Sequence, residues 1–342
     1  MYHGIINVYK EAGYTSHDVV AKLRGICRQK KIGHTGTLDP DAVGVLPVCL
    51  GSATRVCDML TDKNKEYEAV FRLGMVTDTQ DISGQVMESH PELAVNITPH
   101  MAESAIFSFL GSYDQIPPMY SALKVDGKKL YELARAGKEV ERAARRVEIL
   151  QLSILQMELP KITIRVGCSK GTYIRTLCHD IGQKLGCGAA MVSLKRTRVG
   201  EFRVEQALTL AEITELAAKD QLETVMLPID LVFRELHKIT VLEEYQKYLE
   251  NGNKIPVSQI LQNVERVENV ESVQCVQNAD SREKKEYLSE VRQEECPDRK
   301  QSLWKDQEQV RVYNYAHHFY GVFSFEKQKM EFKPVKMFFT ER

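Results

Sequence analysis

The stretch GHTGTLDPDAVG, residues 33 to 44, contains the first side chains that could carry chemistry. Asp39 and Asp41 flank a proline in a loop of small residues, and His34 lies just upstream. A carboxylate in such a loop can act as a nucleophile, a general base or a metal ligand, or can simply shape a turn. Asp39, Asp41 and His34 could together bind a divalent ion, but three scattered ligands are a weak pattern. The loop's own sequence leaves these roles open.

One alternative is more specific, because DPDAV matches the DxDx(T/V) signature of haloacid-dehalogenase-type phosphatases, in which the first aspartate attacks phosphorus. That signature should directly follow a buried, hydrophobic parallel strand. The residues that precede it here, KKIGHTGTL, are polar and contain glycine. The context therefore argues against a phosphatase of this type.

The composition is that of a globular protein with a substantial core. The chain has 342 residues, 43% hydrophobic and 27% charged, enough for one large and one smaller domain. It contains no run of 18 apolar residues and no signal-like start, so we expect a cytoplasmic protein without a membrane span. The eight cysteines form no CxxC pair and are expected to be reduced thiols. Because the net charge is −1, a nucleic-acid partner would have to bind local basic patches.

Several periodic segments predict the elements that must position these side chains. TSHDVVAKLRGICRQ has a helical apolar face and a cap at Thr15 or Ser16. EYEAVFRLG alternates as a strand, with Tyr67 on the face that it shares with other apolar residues. KITIRVGCS predicts a further strand that leads into a helix over GTYIRTLCHDIGQKLG. Tyr173 and Arg175 should therefore lie at a strand-to-helix junction, where side chains commonly line a cleft.

Charge and texture divide the chain into regions. Residues 119–146 contain eight Lys/Arg against four acids, whereas residues 263–309 contain twelve acids against eight bases. The second stretch has few large apolar residues and is predicted to be a polar, flexible insertion, with a possible charged helix in REKKEYLSEVRQ. We place a domain boundary near residue 235, before a strand-rich, aromatic end. Helices and strands mix without regular βαβ alternation, which predicts an α+β fold.

The segment GHTGTLDPDAVGVLPVCLGSATR resembles the catalytic motif of the TruB-type pseudouridine synthases, bacterial stand-alone enzymes that convert uridine 55 of the tRNA T loop to pseudouridine. Five further segments resemble family motifs in family order: KEAGYTSHDVVAKLR, KEYEAVFRLGMVTDTQDISGQV, QIPPMYSALKVDGKKLYELARAG, VGCSKGTYIRTLCHDIG and LKRTRVGEF. Together they cover roughly residues 4 to 230. The chain departs from the family at Glu11, where a proline usually follows the lysine.

The resemblance implies a pseudouridine synthase fold, which is a mixed, mainly antiparallel sheet flanked by helices. Residues 1–235 would be the catalytic domain, with an RNA-clasping insertion at about 115–146. Residues 236–342 would be a small β-rich, PUA-like RNA-binding domain that contains the polar insertion.

The resemblance also implies roles for individual residues. Asp39 would be the catalytic acid, which either attacks the substrate covalently or removes a sugar proton to give a glycal; the sequence does not choose between these routes. Arg175 would form an ion pair with Asp39 and favour its charged form. Tyr67 would stack on the target base and could accept a proton. The rearrangement needs no cofactor and no metal, and Asp41 is expected to have no catalytic role.

The remaining implied contacts are with the RNA. His34 would fill the gap that the flipped base leaves, while Tyr173 and Leu194 would line the pocket. Lys10 is a candidate phosphate contact. The basic insertion supplies four further candidates for the RNA backbone: Lys124, Lys128, Lys129 and Arg135.

The expected partner is the T arm of tRNA, with no membrane, no obligatory protein partner and a monomeric state. Two rivals stay open. One is a guide-RNA-dependent synthase of the dyskerin type, which shares the aspartate motif but lacks the long insertion. The other is a non-catalytic protein that binds tRNA or helps it fold.

Overall fold

The structure is a computed structural model that describes residues 1–125, 127–261 and 304–338. The chain divides into two compact units, Met1–Leu227 and Pro228–Arg342.

The division lies a few residues before position 235, close to where the sequence predicted it. Residues 228 to 235 belong with the second unit because their side chains pack there. The Phe233 ring lies 5.9 Å from that of Phe319 and 5.5 Å from that of Phe338. Tyr313 donates a hydrogen bond of 2.5 Å to the Asp230 carboxylate. Burial of these aromatic side chains therefore accounts for the position of the boundary.

The first unit contains thirteen strands and seven α-helices in its described residues, together with three short 3-10 helices. The strands are β1 (Gly4–Lys10), β2 (Ile32–His34), β3 (Val43–Leu50), β4 (Lys65–Leu73), β5 (Met75–Thr77), β6 (Val86–Ser89), β7 (Gly111–Gln115), β8 (Lys124–Val125), β9 (Lys128–Lys129), β10 (Arg145–Glu158), β11 (Lys161–Cys168), β12 (Ala189–Val199) and β13 (Phe202–Arg203). The helices are α1 (Ser16–Ile26), α2 (Cys57–Thr61), α3 (Pro91–Val95), α4 (Pro99–Phe107), α5 (Leu130–Arg135), α6 (Ile174–Lys184) and α7 (Leu210–Ala218).

One large sheet organises this unit, in the order β1-β3-β12-β4-β11-β10-β7, with β2 paired to β3 and β13 to β12. Its pairs are antiparallel except β3 with β12, which run parallel. One hydrophobic cluster joins the sheet to α6 and α4, and a second joins β1 and β3 to α1 and α7. The prediction of an α+β fold with a mainly antiparallel sheet is confirmed.

The local signals in the sequence produce the expected elements. Thr15 caps α1, where its hydroxyl accepts from the Asp18 N–H while the Asp18 carboxylate accepts from the Thr15 N–H. Ser16, the alternative cap, is buried and its hydroxyl oxygen accepts from the Leu38 N–H at 2.9 Å. The alternation of β4 buries Tyr67 as predicted.

The predicted insertion begins and ends on two strands that pair with each other. β7 ends at Gln115 and β10 begins at Arg145, and these two residues are register partners. The chain between them forms the short β8–β9 hairpin and helix α5. The insertion is therefore an excursion from one edge of the large sheet.

The second unit is a small β-structure. Its described elements are β14 (His237–Thr240), α8 (Gln246–Glu250), β15 (Ile255–Pro256), β16 (Gln309–Tyr313), β17 (Phe319–Glu326) and β18 (Glu331–Met337). The sheet order is β14-β16-β17-β18-β15. Trp304 is buried in its core, so the predicted polar insertion does not extend to residue 309. The rest of that insertion, including REKKEYLSEVRQ, lies outside the described residues.

In the described part of the chain, no helix is long and apolar enough to cross a membrane. The six cysteines that lie there are free thiols: Cys27, Cys49, Cys57, Cys168, Cys178 and Cys187.

Candidate active site

The loop between β2 and β3 presents Asp39 and is held in place from behind. The Thr35 N–H and hydroxyl both donate to the Pro47 carbonyl at 3.1 Å. Leu38 is buried, and its N–H donates to the Ser16 hydroxyl at the start of α1. Two loop residues that precede Asp39 are thereby fixed, one to the sheet and the other to the first helix.

Asp39 and Arg175 form a two-pronged ion pair. The Arg175 Nε lies 2.9 Å from Asp39 Oδ2, and its Nη2 donates to Asp39 Oδ1 at 3.3 Å. The arginine side chain is only 6% exposed, whereas the aspartate side chain is 41% exposed. A buried guanidinium thus orients a carboxylate whose outer part is open to solvent, in the paired geometry that arginine favours with carboxylates.

Three further groups fix Arg175 itself. Its Nη1 donates to the Thr79 carbonyl at 2.9 Å, and its Nη2 donates to the Tyr120 carbonyl at the same distance. The Asp81 carboxylate lies 3.6 Å from Nη1. Asp81 is not among the site residues predicted from sequence, although it lies within a segment that carries the family resemblance.

Burial raises the pKa of the Asp39 carboxyl, Arg175 lowers it, and nearby Asp81 raises it further. The net direction is upward. Because part of the side chain is exposed, water still reaches the carboxylate and limits this upward shift. Asp39 therefore depends on Arg175 to remain ionised.

Tyr67 lies on β4, next to the loop of Asp39. It is 8% exposed and packs in the same hydrophobic cluster as Leu38 and Leu194. Burial raises the pKa of its hydroxyl, and the positive charge of the nearby Arg196 guanidinium opposes that rise. Tyr67, Leu194 and Asp39 are therefore brought to one place, as the sequence predicted.

Arg196 is a site residue that the sequence analysis missed. It is 2% exposed and lies directly opposite Tyr67 in the pairing of β12 with β4. Sequence alone gave no signal, because the pairing follows register shifts in β12 that only the fold defines.

His34 lies at the end of β2, beside the loop. Its ring meets that of His17 at 5.1 Å in an edge-on arrangement. Burial lowers the pKa of His34 to about 4, with the charges of His17 and Arg196 acting in the same direction. His34 is therefore a neutral imidazole near pH 7, an aromatic surface without charge.

Tyr173 immediately precedes α6 and is held by a reciprocal pair of hydrogen bonds. Its N–H donates to the Gln115 side-chain oxygen at 2.8 Å, and the Gln115 amide donates to its carbonyl at 3.0 Å. Helix α6 begins at Ile174, directly after Tyr173, and Arg175 is its second residue. The strand-to-helix junction predicted from sequence therefore supplies the arginine that pairs with Asp39.

Lys10 does not face the solvent. It is 0% exposed, and its ammonium group donates to the carbonyls of Pro40 at 2.8 Å and Glu11 at 3.0 Å. Burial lowers its pKa to about 8, while Asp41 and Asp39 act in the opposite direction. The predicted phosphate contact is therefore wrong for this structure: Lys10 supports the loop of Asp39 from behind.

The four basic candidates lie on the insertion, away from the sheet. Lys124 and Lys129 are register partners in the β8–β9 hairpin, and Lys128 pairs with Val125. The Lys129 ammonium and the Arg135 guanidinium lie 5.3 Å and 5.5 Å from the centroid of the Tyr131 ring, as in cation–π contacts. Like charges directly opposite each other destabilise a hairpin unless an anion lies nearby.

The geometry also bears on two alternatives for this loop, a dehalogenase-type phosphatase and a metal site. Asp39 follows β2, which is short and antiparallel to β3, so the parallel-strand context of a dehalogenase-type phosphatase is absent at this site. No group of three or more His, Cys, Asp or Glu suited to a metal ion occurs in the described residues. Asp41 lies in the same loop and is exposed.

Two family models match consecutive parts of the chain. Residues 24–174 match the TruB family pseudouridylate synthase N-terminal domain, and residues 175–234 match the tRNA pseudouridylate synthase B C-terminal domain.

Curated relatives extend the match to the whole chain. A protein named tRNA pseudouridine synthase B from Lachnoclostridium phytofermentans is 46% identical over 344 residues, covering 98% of this chain and 99% of the relative. A protein of that name from Clostridium perfringens (strain SM101) is 48% identical over 254 residues, covering 74% of this chain and 84% of the relative.

Solved structures share the fold. A structure of an H/ACA RNP bound to a substrate RNA containing 2′-deoxyuridine gives a TM-score of 0.65 at 23% identity, covering 99% of this chain and 86% of that one. A Cbf5-Nop10-Gar1 complex gives 0.64 at 24% identity, covering 98% and 85%. At these identities the likeness concerns the fold alone.

Proposed function

This chain belongs to the TruB family of pseudouridylate synthases and makes pseudouridine in tRNA, and we propose that it acts on uridine 55 of the T loop without a guide RNA. The observation that carries the proposal is the Asp39–Arg175 pair: a partly open carboxylate, held by a buried guanidinium, beside the buried ring of Tyr67. Pseudouridine formation breaks the N1–C1′ bond, turns the uracil and joins C5 to C1′. Since no atoms or electrons are gained or lost, one positioned carboxylate can suffice.

Asp39 is assigned as the catalytic residue. It either forms a covalent bond with the substrate or removes a sugar proton to give a glycal, and both routes require the carboxylate form. Arg175 maintains that form and aims it through its two contacts. Tyr67 provides the surface on which the uracil stacks and a hydroxyl that can accept a proton.

Access to the target requires that the uridine leave its stack, at a cost of a few kcal/mol. We assign His34 to the gap that it leaves, because a neutral aromatic plane can replace lost stacking worth about 1–3 kcal/mol per base. Tyr173 and Leu194 line the pocket around the flipped base. Lys10 acts indirectly, by supporting the loop.

The remaining contacts are assigned to the RNA backbone. The exposed lysines of the insertion are suited to phosphates, which position RNA but carry little sequence information. The second unit is assigned as a PUA-like RNA-binding domain. We expect the enzyme to act as a cytoplasmic monomer without an obligatory protein partner.

Tritium release from [5-³H]uridine-labelled, unmodified tRNA transcript tests the proposal. The reaction contains no guide RNA and no second protein, and a transcript with cytidine at position 55 is the matched control. We expect release from the first transcript and none from the second. Tight binding without release would favour the non-catalytic rival, whereas release only after a guide RNA is added would favour the dyskerin-type rival.

A further inference from the structure

Arg196 is a buried cation whose position the proposed roles above do not explain. It lies on β12 directly opposite Tyr67 on β4, and the two residues are 2% and 8% exposed. Directly opposed residues in an antiparallel pair have adjacent side chains on one face of the sheet. The guanidinium and the phenol are therefore enclosed together beneath the site.

The same side chain reaches both ends of the loop that carries Asp39. Arg196 Nε donates to the Val45 carbonyl at 2.7 Å, and its Nη2 donates to the Gly36 carbonyl at 3.3 Å. Gly36 lies near the start of the loop and Val45 just after its end. Arg196 thus spans the base of the loop and closes it against the sheet.

The surroundings of Arg196 make its charge costly. Among the described residues no carboxylate forms an ion pair with it, and its buried neighbours include the cationic side chains of Lys10 and Lys65. Burial of an unpaired charge normally costs several kcal/mol. Such a cost at a site, without an ion pair to offset it, points to a functional constraint.

We propose that Arg196 is a positioning residue that faces Tyr67 across the strand pair and holds the loop of Asp39 beside it, so that the stacking ring and the catalytic carboxylate are held in one geometry. A guanidinium suits this task because its planar array of donors can serve several oxygens at once, whereas a lysine ammonium cannot span them. The inference rests on the proposed function. Besides Arg196, the titratable groups that influence Tyr67 most are Cys168 and Asp39.

The test compares four enzymes by single-turnover tritium release: wild type, Arg196→Lys, Tyr67→Phe and the double variant. Arg196→Lys should lower the rate constant at least about tenfold, the loss expected when reacting groups are displaced by a fraction of an ångström. Its dissociation constant for tRNA should stay within about threefold of wild type, since phosphate contacts dominate affinity. In the Tyr67→Phe background, the rate loss caused by Arg196→Lys should be smaller by about threefold or more, because the side chain that faces Arg196 has already lost its hydroxyl.

Arg198→Lys is the matched control. Arg198 lies two residues along the same strand, is partly exposed and reaches Glu66 at 3.9 Å. It should retain nearly the full rate. Arg196→Gln is the second variant, to be used if the lysine variant does not fold, because it removes the buried charge and keeps a donor.

The outcomes distinguish failure of the Arg196 role from failure of the proposed function. The role of Arg196 is overturned if Arg196→Lys lowers the rate by the same factor in the Tyr67→Phe background as in the wild-type background. It is also overturned if Arg196→Lys lowers the rate by no more than Arg198→Lys does. In either case the proposed function stands. A wild-type enzyme that releases no tritium would instead refute the proposed function, and the positioning role with it.

Discussion

The Asp39 carboxylate is subject to two opposing influences. Burial and the nearby Asp81 favour its neutral form, whereas the Arg175 guanidinium favours the charged form that either catalytic route requires. Arg175 is in turn fixed by two backbone carbonyls, so its position does not depend on the substrate. At the scale of single residues, Arg175 is therefore the group that favours the ionised form of Asp39.

Replacement of Arg175 by glutamine should move the acid limb of the pH–rate profile to higher pH. In the proposed mechanism the activity requires ionised Asp39 and falls as the pH drops through its pKa, and removal of the adjacent positive charge raises that pKa. Single-turnover rates between about pH 5 and pH 9 measure the displacement. Arg175→Lys, which keeps a charge, should show a smaller displacement. An acid limb at the wild-type position in the glutamine variant would contradict the assignment.

At the scale of elements, the sequence predicted what local patterns determine. The Thr15 cap and the alternation that buries Tyr67 both depend on neighbours within a few residues. The roles of Arg196 and Lys10 could not be predicted in this way. They depend on which strands pair and in which register, and nothing near either residue distinguishes a buried cation from an exposed one.

Gly44 shows how closely two elements approach beside the loop. It has a φ of +106°, and a Cβ at this position would lie 2.2 Å from the Arg196 carbonyl oxygen. Gly44→Ala should therefore lower the free energy of unfolding by about 1–3 kcal/mol beyond the cost of a positive φ. Gly13→Ala is the control, because Gly13 has a φ of +84° and nothing within 4 Å of its would-be Cβ. Equal denaturant midpoints for the two variants would refute the steric account.

At the scale of the whole molecule, a chain with a net charge of −1 must bind an anionic RNA through local patches. Residues 119–146 of the insertion have an excess of four positive charges, which was evident from sequence alone. The boundary between the units was predicted near residue 235 and lies at 227/228, because Phe233 joins the second unit through contacts with residues far along the chain. Composition thus predicted where charge is concentrated, and it predicted the division of the fold to within several residues.

The hairpin of the insertion should contribute to tRNA affinity through charge. Lys124→Ala combined with Lys129→Ala should weaken binding and lower the slope of log K against log[salt] by about 0.7–0.9 for each phosphate that the protein no longer neutralises. Binding isotherms at several salt concentrations measure both quantities. The exposed Lys219, at the end of α7, offers a control that removes one charge elsewhere. An unchanged slope in the double variant would exclude these lysines from the interface.

The central claim is that one aspartate of the DPD sequence is catalytic and the other is not, and Asp39→Asn measured beside Asp41→Asn tests it most directly. The two substitutions are chemically identical and lie two residues apart, but only Asp39 contacts Arg175. We expect Asp39→Asn to abolish tritium release while it retains tRNA affinity, and Asp41→Asn to keep release within about threefold of wild type, as is usual for exposed positions. Substantial release by the Asp39→Asn enzyme, or its loss in the Asp41→Asn enzyme alone, would contradict the account.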